Sequence, residues 1–331
     1  MAVSIIIKTL NEEKRIAATI ESALASLPGQ VEVIVADSGS RDRTVEIASA
    51  YPITVVQIEA PAKASCGIGP QLGFQYSTQP LVCLMDGDML LDPTFLPDAI
   101  AFLNAHPEVG GVAGQIIEMN VENLEFARRA RNETLPTGTV DRLNGGGLYR
   151  REAIIAAGYF SDRNLHGHEE FDLGVRLRAR GWQLHRLDRP FVQHFGHTMN
   201  AYKLLIRRWQ SKYLRGVGEL LRAGLGAPHL PKLLSELREL RLWALVYAWW
   251  LTLLLVLVLV PDKLLAVGIA VTLIAAIIAV MSLKYRSVPL GFYAVTAWCF
   301  HAAALPLGFF QTRRAPTDWI ESRVLHAPPS P

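Results

Sequence analysis

Two aspartates follow a short apolar run in the first third of the chain. The run at 81–85 contains Val, Leu, Cys and Met without a helical period, and it ends in Asp86-Gly87-Asp88. Such a run is typical of a strand buried on both faces. Side chains alternate along a strand, so we expect Asp86 and Asp88 on one side, with Gly87 allowing close approach to the backbone. Two carboxylates there predict a Mg²⁺ or Mn²⁺ site. The alternative is an ordinary acidic turn.

Other polar clusters also follow predicted strands. Apolar runs alternate with helical patterns, which predicts an α/β fold with a mostly parallel sheet. The strands are expected at 3–7, 31–35 and 53–58, and the helices at 11–27 and 42–51. Ligands of such sheets bind beyond the carboxyl ends of the strands. We therefore expect Asn11-Glu12 and the segment 37–40 at the same edge of the sheet as Asp86 and Asp88.

Composition limits the class of protein. The net charge of +3 is too small to indicate a nucleic-acid partner. The three cysteines show no C-x-x-C spacing, which favours a reducing compartment over a disulfide framework. The N-terminus has neither a basic segment nor an apolar stretch of signal-peptide length, so we expect the first half in the cytosol. Half of the residues are hydrophobic, and the excess lies after residue 241.

The C-terminal third has the pattern of a membrane protein. Residues 200–241 combine basic and apolar side chains at helical spacing, as do helices on an anionic membrane surface. The stretches 242–260 and 264–283 are uncharged and of transmembrane length, and 288–310 is a third candidate span within the predicted transmembrane region 242–311.

Basic residues set the expected orientation of these spans. Arg241 precedes the first span and Lys284 follows the second, so the positive-inside rule puts both on the cytosolic side. Arg313 and Arg314 in the tail 312–331 conflict with a complete third crossing. A re-entrant or interfacial third segment removes the conflict.

Several motifs occur in a fixed order between residues 3 and about 210. They are Leu10-Asn11-Glu12-Glu13, then Asp37-Ser38-Gly39-Ser40, Asp86-Gly87-Asp88, Gly145-Gly146-Gly147, and His168-Glu169-Glu170-Phe171-Asp172. In this order they resemble an inverting, membrane-anchored bacterial family 2 glycosyltransferase with the GT-A fold. The resemblance implies a GT-A nucleotide-sugar-binding domain at 1–199, followed by amphipathic interface helices and C-terminal transmembrane helices.

The resemblance also implies how the donor is held. Asp88 would ligate a divalent metal, and Asp86 would contact the metal or the donor ribose. Asp37 and Glu12 match positions that surround the nucleobase and ribose, although Asp37 also suits an Asx turn. Gly146 lies in a segment that borders the sugar and the acceptor.

Two departures from the family pattern stand nearby. The second acid that many relatives carry is Ser38 here, so direct base contact through that position is doubtful. The segment 69–73 lacks the basic residue that relatives have before the D-x-D strand, and we interpret the nearby Lys63 as solvated. Arg128, Arg129 and Arg131 are interpreted as a solvated face.

Glu170 is the predicted catalytic base. Inverting transfer needs a carboxylate that accepts the proton of the acceptor hydroxyl, and Glu170 matches the second acid of the family's Glu-Asp pair. Asp172 is interpreted as a structural partner of Arg176 or Arg178. A zinc site from His166, His168 and Glu169 lacks a fourth ligand at suitable spacing.

Histidines near residue 194 are candidate ligands of the metal or the diphosphate. The resemblance favours His194 and, less strongly, His197. A buried histidine that donates to the backbone is the alternative interpretation of either.

The resemblance thus implies a multi-pass enzyme of the bacterial inner membrane, with its catalytic domain on the cytosolic face. It would move a sugar from a UDP- or GDP-sugar to a polyprenyl-linked glycan or another membrane-held acceptor, with inversion and with Mg²⁺ or Mn²⁺. A homo-oligomer is compatible with this reading. The alternatives are a polyprenyl-phosphate sugar synthase, a processive polysaccharide synthase and an inactive membrane scaffold.

Overall fold

The computed structural model describes residues 1–61, 64–120, 135–196 and 199–328. The chain forms two compact units. The first contains Met1–Ala201 together with Thr312–Pro331, and the second contains Tyr202–Gln311. The chain therefore leaves the first unit once and returns to it.

The first unit is an α/β domain whose elements largely alternate along the chain. Its elements are β1 Val3–Thr9, α1 Ile16–Ser26, β2 Val31–Asp37, α2 Thr44–Ala48, β3 Thr54–Ile58, α3 Ile68–Tyr76, β4 Leu81–Asp86, β5 Met89–Leu91, α4 Phe95–Ala105, β6 Val109–Glu118, β7 Gly138–Val140, β8 Gly147–Arg150, α5 Arg151–Ala156, α6 Glu169–Ala179, β9 Gln183–His194 and β10 Ser322–His326.

One sheet contains all these strands in the order β10-β3-β2-β1-β4-β8-β6-β9-β5, with β7 beside β9. The neighbours β3, β2, β1 and β4 are parallel, whereas β8 pairs antiparallel with both β4 and β6. Alternate residues of β1 enter opposite cores: Ile5 and Ile7 pack on one face of the sheet and Ile6 on the other. This two-sided burial explains why the strands are nearly continuous apolar runs. The predicted α/β fold is confirmed.

The register of the parallel strands brings polar residues to one edge. Lys8 pairs with Asp86 across β1 and β4, and Thr9 pairs with Asp37 across β1 and β2. The carboxyl ends of these strands therefore lie side by side, as the sequence predicts.

The first helix begins later than its sequence pattern suggests. The backbone of Asn11 is left-handed, with φ of 59°, and α1 starts only at Ile16. The amides of Asn11 and Glu12 donate instead to the hydroxyls of Ser40 and Thr44, at 2.8 and 2.7 Å. Because these bonds satisfy the amides outside a helix, the segment is a loop that joins the ends of β1 and β2.

The second unit is helical. Its elements are α7 Ala201–Gln210, a 3₁₀ turn at Tyr213–Arg215, α8 Gly216–Gly224, α9 Leu230–Glu236, α10 Glu239–Leu259, α11 Lys263–Tyr285 and α12 Val288–Phe309. By length and composition α10, α11 and α12 could each cross a membrane, with mean hydropathies of 2.3, 2.9 and 1.4. The least apolar of them, α12, contacts α8 so closely that a Cβ on Gly218 would lie 2.0 Å from the Leu305 carbonyl oxygen.

The segment after α12 belongs to the first unit and packs on its other residues. Arg313 forms an ion pair with the fully buried Asp162. Asn164 exchanges two hydrogen bonds with the backbone of Arg314, each 2.9 Å long. Strand β10 then extends the sheet by antiparallel pairing with β3. The segment predicted as a C-terminal tail therefore includes an edge strand.

We expect Arg313→Ala to lower the free energy of unfolding by about 1–3 kcal/mol, because it leaves a buried carboxylate without its cationic partner. Arg323→Ala is the matched control in the same segment: its partner Glu59 is 44% exposed and their 3.4 Å ion pair is solvated, so we expect a change below about 0.5 kcal/mol. Denaturation of the detergent-purified chain measures both free energies. Equal effects would contradict a stabilising role for the Arg313–Asp162 ion pair.

Candidate functional site

The turn after β4 carries the D-x-D motif and is held by its neighbours. The amide of Gly87 donates to the carbonyl oxygen of Lys8 at 2.9 Å, and the hydroxyl of Thr19 donates to the carbonyl oxygen of Gly87 at 2.9 Å. The turn is thus fixed to β1 and α1. Its two carboxylates have different partners, Lys8 for Asp86 and His194 for Asp88.

Lys8 lies between two acidic segments that are distant in sequence. Its ammonium nitrogen is 3.1 Å from Oδ1 of Asp86 and 3.2 Å from Oε1 of Glu169. Burial lowers the pKa of Lys8, but Asp86, Glu169 and Glu170 outweigh burial and raise it well above its usual value. Burial raises the pKa of Asp86, and the ammonium opposes that rise. Lys8 is therefore a fixed positive charge among the carboxylates.

Glu170 is held by the glycine-rich loop. Its Oε2 accepts from the amide of Gly145 at 3.1 Å, and its Oε1 accepts from the amide of Gly146 at 2.7 Å. Gly146 has a φ of +96°, and a Cβ there would lie 2.0 Å from the Leu84 carbonyl oxygen, so only glycine fits. Burial raises the pKa of Glu170 to about 7, although Lys8 opposes the rise.

A buried ion pair orients the helix that carries Glu170. Asp172 and Arg176 are one helical turn apart in α6, nearly fully buried, and 2.8 Å apart. Arg176 also donates to the carbonyl oxygens of Ala157 and Tyr159. The prediction that Asp172 orients Arg176 is confirmed. This pair fixes the first turn of α6, where Glu170 is located.

His194 joins the ends of three adjacent strands. Its Nδ1 is 2.7 Å from Oε2 of Glu118, at the end of β6, and its Nε2 is 3.5 Å from Oδ2 of Asp88, which precedes β5. His194 itself ends β9, in register with Glu118 on one side and Met89 on the other. Burial opposes protonation of the ring, but hydrogen bonds to Asp88 and Glu118 outweigh it and raise the pKa of His194 to about 10.

Asp88 and His194 fit part of a metal site. Adjacent ligands of an octahedral ion with bonds near 2.1 Å are separated by about 3 Å, close to the 3.5 Å between Asp88 Oδ2 and His194 Nε2. Within the described residues, no group of three or more His, Cys, Asp or Glu side chains is placed to hold a metal. Two protein ligands suit an ion such as Mg²⁺, which usually retains waters and binds substrate phosphates.

Asp37 is buried and used within its own loop. Its Oδ2 accepts hydrogen bonds from the amides of Gly39 and Ser40 and from the side chain of Gln57, each 2.8 Å long. This is the Asx-turn arrangement that the sequence allows as one interpretation. The carboxylate shapes the loop beside the D-x-D turn, and its predicted contact with the donor stays a prediction, as does that of Glu12.

Similarity to known proteins indicates the class of enzyme to which this site belongs. Residues 4–158 match the model of Glycosyl transferase family 2. An uncharacterized glycosyltransferase of Mycobacterium tuberculosis is 28% identical over 196 residues, which are 56% of this chain and 84% of the relative. The 4,4'-diaponeurosporenoate glycosyltransferase of Staphylococcus haemolyticus is 31% identical over 233 residues, which are 63% of this chain and 60% of the relative.

The chain is a glycosyltransferase that is similar to family 2 over residues 4–158, just under half of its length. Its fold is similar to that of glucosyl-3-phosphoglycerate synthase from Mycobacterium tuberculosis, crystallised with Mn²⁺, UDP and glucosyl-3-phosphoglycerate. The TM-score is 0.50 at 20% identity, over 69% of this chain and 81% of that structure. This similarity confirms the predicted GT-A fold, and the family match and the glycosyltransferase relatives agree with the predicted family.

The glycosyltransferase domain gathers most of the predicted site residues. Ion pairs, hydrogen bonds and the adjacency of Glu169 and Glu170 connect the predicted metal ligands to the predicted base and its loop. The connected residues are Lys8, Asp86, Asp88, Glu118, Gly146, Glu169, Glu170 and His194. The catalytic, donor-binding and metal-ligand roles stay predictions. Lys63, Arg128, Arg129, Arg131 and His197 lie outside the described residues.

Sequence reasoning missed Lys8 and Glu118. Both are charged residues at the carboxyl ends of buried strands, β1 and β6, and that position is itself a signal for the ligand edge of the sheet. Their partners could not be identified from the sequence, because the partners come from other strands and from α6.

If Glu170 is the base, transfer should require its ionised form. We expect kcat/KM of this glycosyltransferase to rise about tenfold per pH unit below pH 7 and to level off above it, since the pKa of Glu170 is raised to about 7. Initial rates from pH 5.5 to 8.5 test this. The exposed Glu152→Gln, at the start of α5, should retain the profile, and a flat wild-type profile between pH 6 and 8 would contradict it.

Proposed function

We propose that this glycosyltransferase moves a sugar, with inversion, from a UDP- or GDP-sugar to an acceptor held at a membrane. The observation that carries the proposal is the placement of Glu170. Its carboxylate accepts hydrogen bonds from the amides of Gly145 and Gly146. The preceding residue, Glu169, is linked through Lys8 to Asp86 of the D-x-D turn. A proton acceptor and a donor-binding turn therefore belong to one cluster.

The donor side is proposed to contain a divalent cation. Asp88 and His194 would hold Mg²⁺ or Mn²⁺, with donor phosphate oxygens and water as the other ligands. When bound, such an ion stabilises the negative charge of the departing nucleoside diphosphate. The similar fold crystallised with Mn²⁺ and UDP supports this assignment. Asp86, Asp37, Glu12 and Gly146 are proposed to contact or shape the donor site.

The acceptor side is proposed to use Glu170 as general base. Its carboxylate takes the proton of the acceptor hydroxyl while the acceptor oxygen bonds to the anomeric carbon and the bond to the diphosphate breaks. Attack from the face opposite the leaving group inverts the anomeric configuration. The backbone amides keep the carboxylate in place, and its remaining lone pairs can accept the proton.

We expect Glu170→Gln to lower the transfer rate by about 10²–10⁴-fold and to leave UDP binding with Mn²⁺ within about threefold, since the amide cannot accept the proton. Asp88→Asn should weaken Mn²⁺-dependent UDP binding itself, and Glu152→Gln is the control for both. Turnover is measured over a panel of nucleotide sugars, together with calorimetric UDP binding. Normal transfer by Glu170→Gln would show that the base lies elsewhere.

The acceptor class is proposed from the membrane segments. Three helices are long and apolar enough to cross a membrane. An enzyme tethered by them would meet a lipid-borne acceptor more often, which supports this class. One relative is named 4,4'-diaponeurosporenoate glycosyltransferase. A polyprenyl-linked glycan is our first candidate. A panel that contains this glycan, polyprenyl phosphate and 4,4'-diaponeurosporenoate separates the classes.

We propose that the catalytic unit faces the cytosol of a bacterial inner membrane and that the chain crosses this membrane an even number of times. A folded sheet does not span a bilayer, and residues on both sides of the helical unit belong to the same sheet-containing unit. An odd number of crossings would separate β10 from β3.

The helix α12 is proposed not to cross. It has the lowest hydropathy of the three, and its C-terminal half packs on α8, which contains Glu219 and Arg222. Charged residues of this kind are costly in the hydrocarbon core. The helices α10 and α11 would then form the crossing hairpin, with α12 as the re-entrant or interfacial segment that Arg313 and Arg314 require.

We expect the Pro261→Cys variant to react with a membrane-impermeant maleimide in intact cells, because the proposed topology puts the loop between α10 and α11 on the outer side of the membrane. Lys284→Cys and Thr317→Cys should react only after permeabilisation. The wild-type chain measures the background from Cys66, Cys83 and Cys299. Labelling of Thr317→Cys from outside the cell would contradict an even number of crossings.

A further inference from the structure

Glu118 has a contact that no predicted role explains. It ends β6, and its side chain is only 14% exposed. Its Oε2 lies 2.7 Å from Nδ1 of His194, while the opposite ring nitrogen, Nε2, is directed to Asp88. The carboxylate thus contacts the imidazole on the side away from the D-x-D turn.

The backbone fixes this arrangement on both sides of His194. The amide of Met119 donates to the carbonyl oxygen of His194 at 2.9 Å, and the amide of Phe195 donates to the carbonyl oxygen of Asp88 at 3.1 Å. The ends of β6, β9 and β5 are therefore held in register around the imidazole. The ring can rotate only about its own side-chain bonds, and its Nδ1 contact opposes that rotation.

A carboxylate at Nδ1 also selects the form of the ring that can bind a metal. A neutral imidazole carries one N–H, and a metal needs the lone pair of the other nitrogen. Without a cation the ring is protonated at both nitrogens, with Nε2 directed to Asp88. Glu118 keeps the N–H at Nδ1, so a cation that displaces the other proton would meet the Nε2 lone pair on the side of Asp88. Carboxylate–histidine pairs of this kind orient metal-binding histidines, and their loss typically lowers metal affinity 10–100-fold.

We propose that Glu118 is a positioning residue of this glycosyltransferase, which presents Nε2 of His194 to the divalent cation held with Asp88. The inference rests on the proposed metal site. In this role Glu118 contacts the ring at Nδ1, on the side away from the Nε2 atom that would face the cation. It acts through the orientation of the ring.

The test measures metal binding and not turnover. Binding of Mn²⁺ to the full-length chain in detergent, at saturating UDP, is followed by the electron paramagnetic resonance signal of free Mn²⁺. Glu118→Ala should weaken binding 10–100-fold. Glu118→Gln should stay within about threefold of wild type, because its amide oxygen can accept the same N–H. Glu108→Gln, an exposed carboxylate just before β6, should bind like wild type.

The outcomes separate this inference from the function on which it rests. If wild type binds Mn²⁺ with UDP and Glu118→Ala binds it equally well, Glu118 does not position the ligand. If Glu118→Gln weakens binding as much as Glu118→Ala, and both lower the melting temperature of the metal-free chain equally, Glu118 is only structural and the inference is wrong. If wild type binds no Mn²⁺ with UDP, the metal site and this inference both fall, while the Glu170 test still decides the base.

Discussion

The site depends on one partly buried ammonium group. Asp86, Glu169 and Glu170 would repel one another, and repulsion of this kind raises the pKa of carboxyl groups until one takes up a proton. Lys8 lies between two of these acids at 3.1 and 3.2 Å, so it offsets the repulsion where the D-x-D turn meets the start of α6. The parallel register of β1 and β4, which pairs Lys8 with Asp86, is therefore an electrostatic requirement as well as a packing one.

The strand direction of the sheet changes between the D-x-D turn and the glycine-rich loop. Up to β4 the sheet is parallel, and its strand ends carry the polar loops; β8 then runs antiparallel to β4. Since β8 begins where β4 ends, the glycine loop before β8 lies beside the D-x-D turn. Gly146 contacts the Leu84 carbonyl region on one side and Glu170 on the other. The loop therefore contributes two backbone amides that hold this carboxylate, in addition to the charge of Lys8.

The sequence predicted those parts of the molecule that depend on local pattern. Apolar runs located β1 to β4, and motif order located Asp88 and Glu170, because both kinds of signal lie within short segments. The start of α1 was less predictable, since Asn11 and Glu12 bond to hydroxyls near residue 40 in preference to a helical turn. Lys8 and Glu118 were missed for the same physical reason: each is defined by a partner from a different strand or helix. Strand β10 was not expected, because its pairing with β3 spans the helical unit in sequence.

After the apolar helices, the chain contacts the loop that leads into Glu169 and Glu170. Arg313 and Arg314 contact Asp162 and Asn164, and the loop that contains these partners leads directly into Glu169. The other side of that loop is held by α3, where the side chain of Gln71 accepts the amides of Phe160 and Ser161. The segment that orients the predicted base is thus fixed by residues before it and by residues that follow the last apolar helix. The position of Glu170 therefore depends on residues from both ends of the sequence of the first unit, including those that follow the last apolar helix.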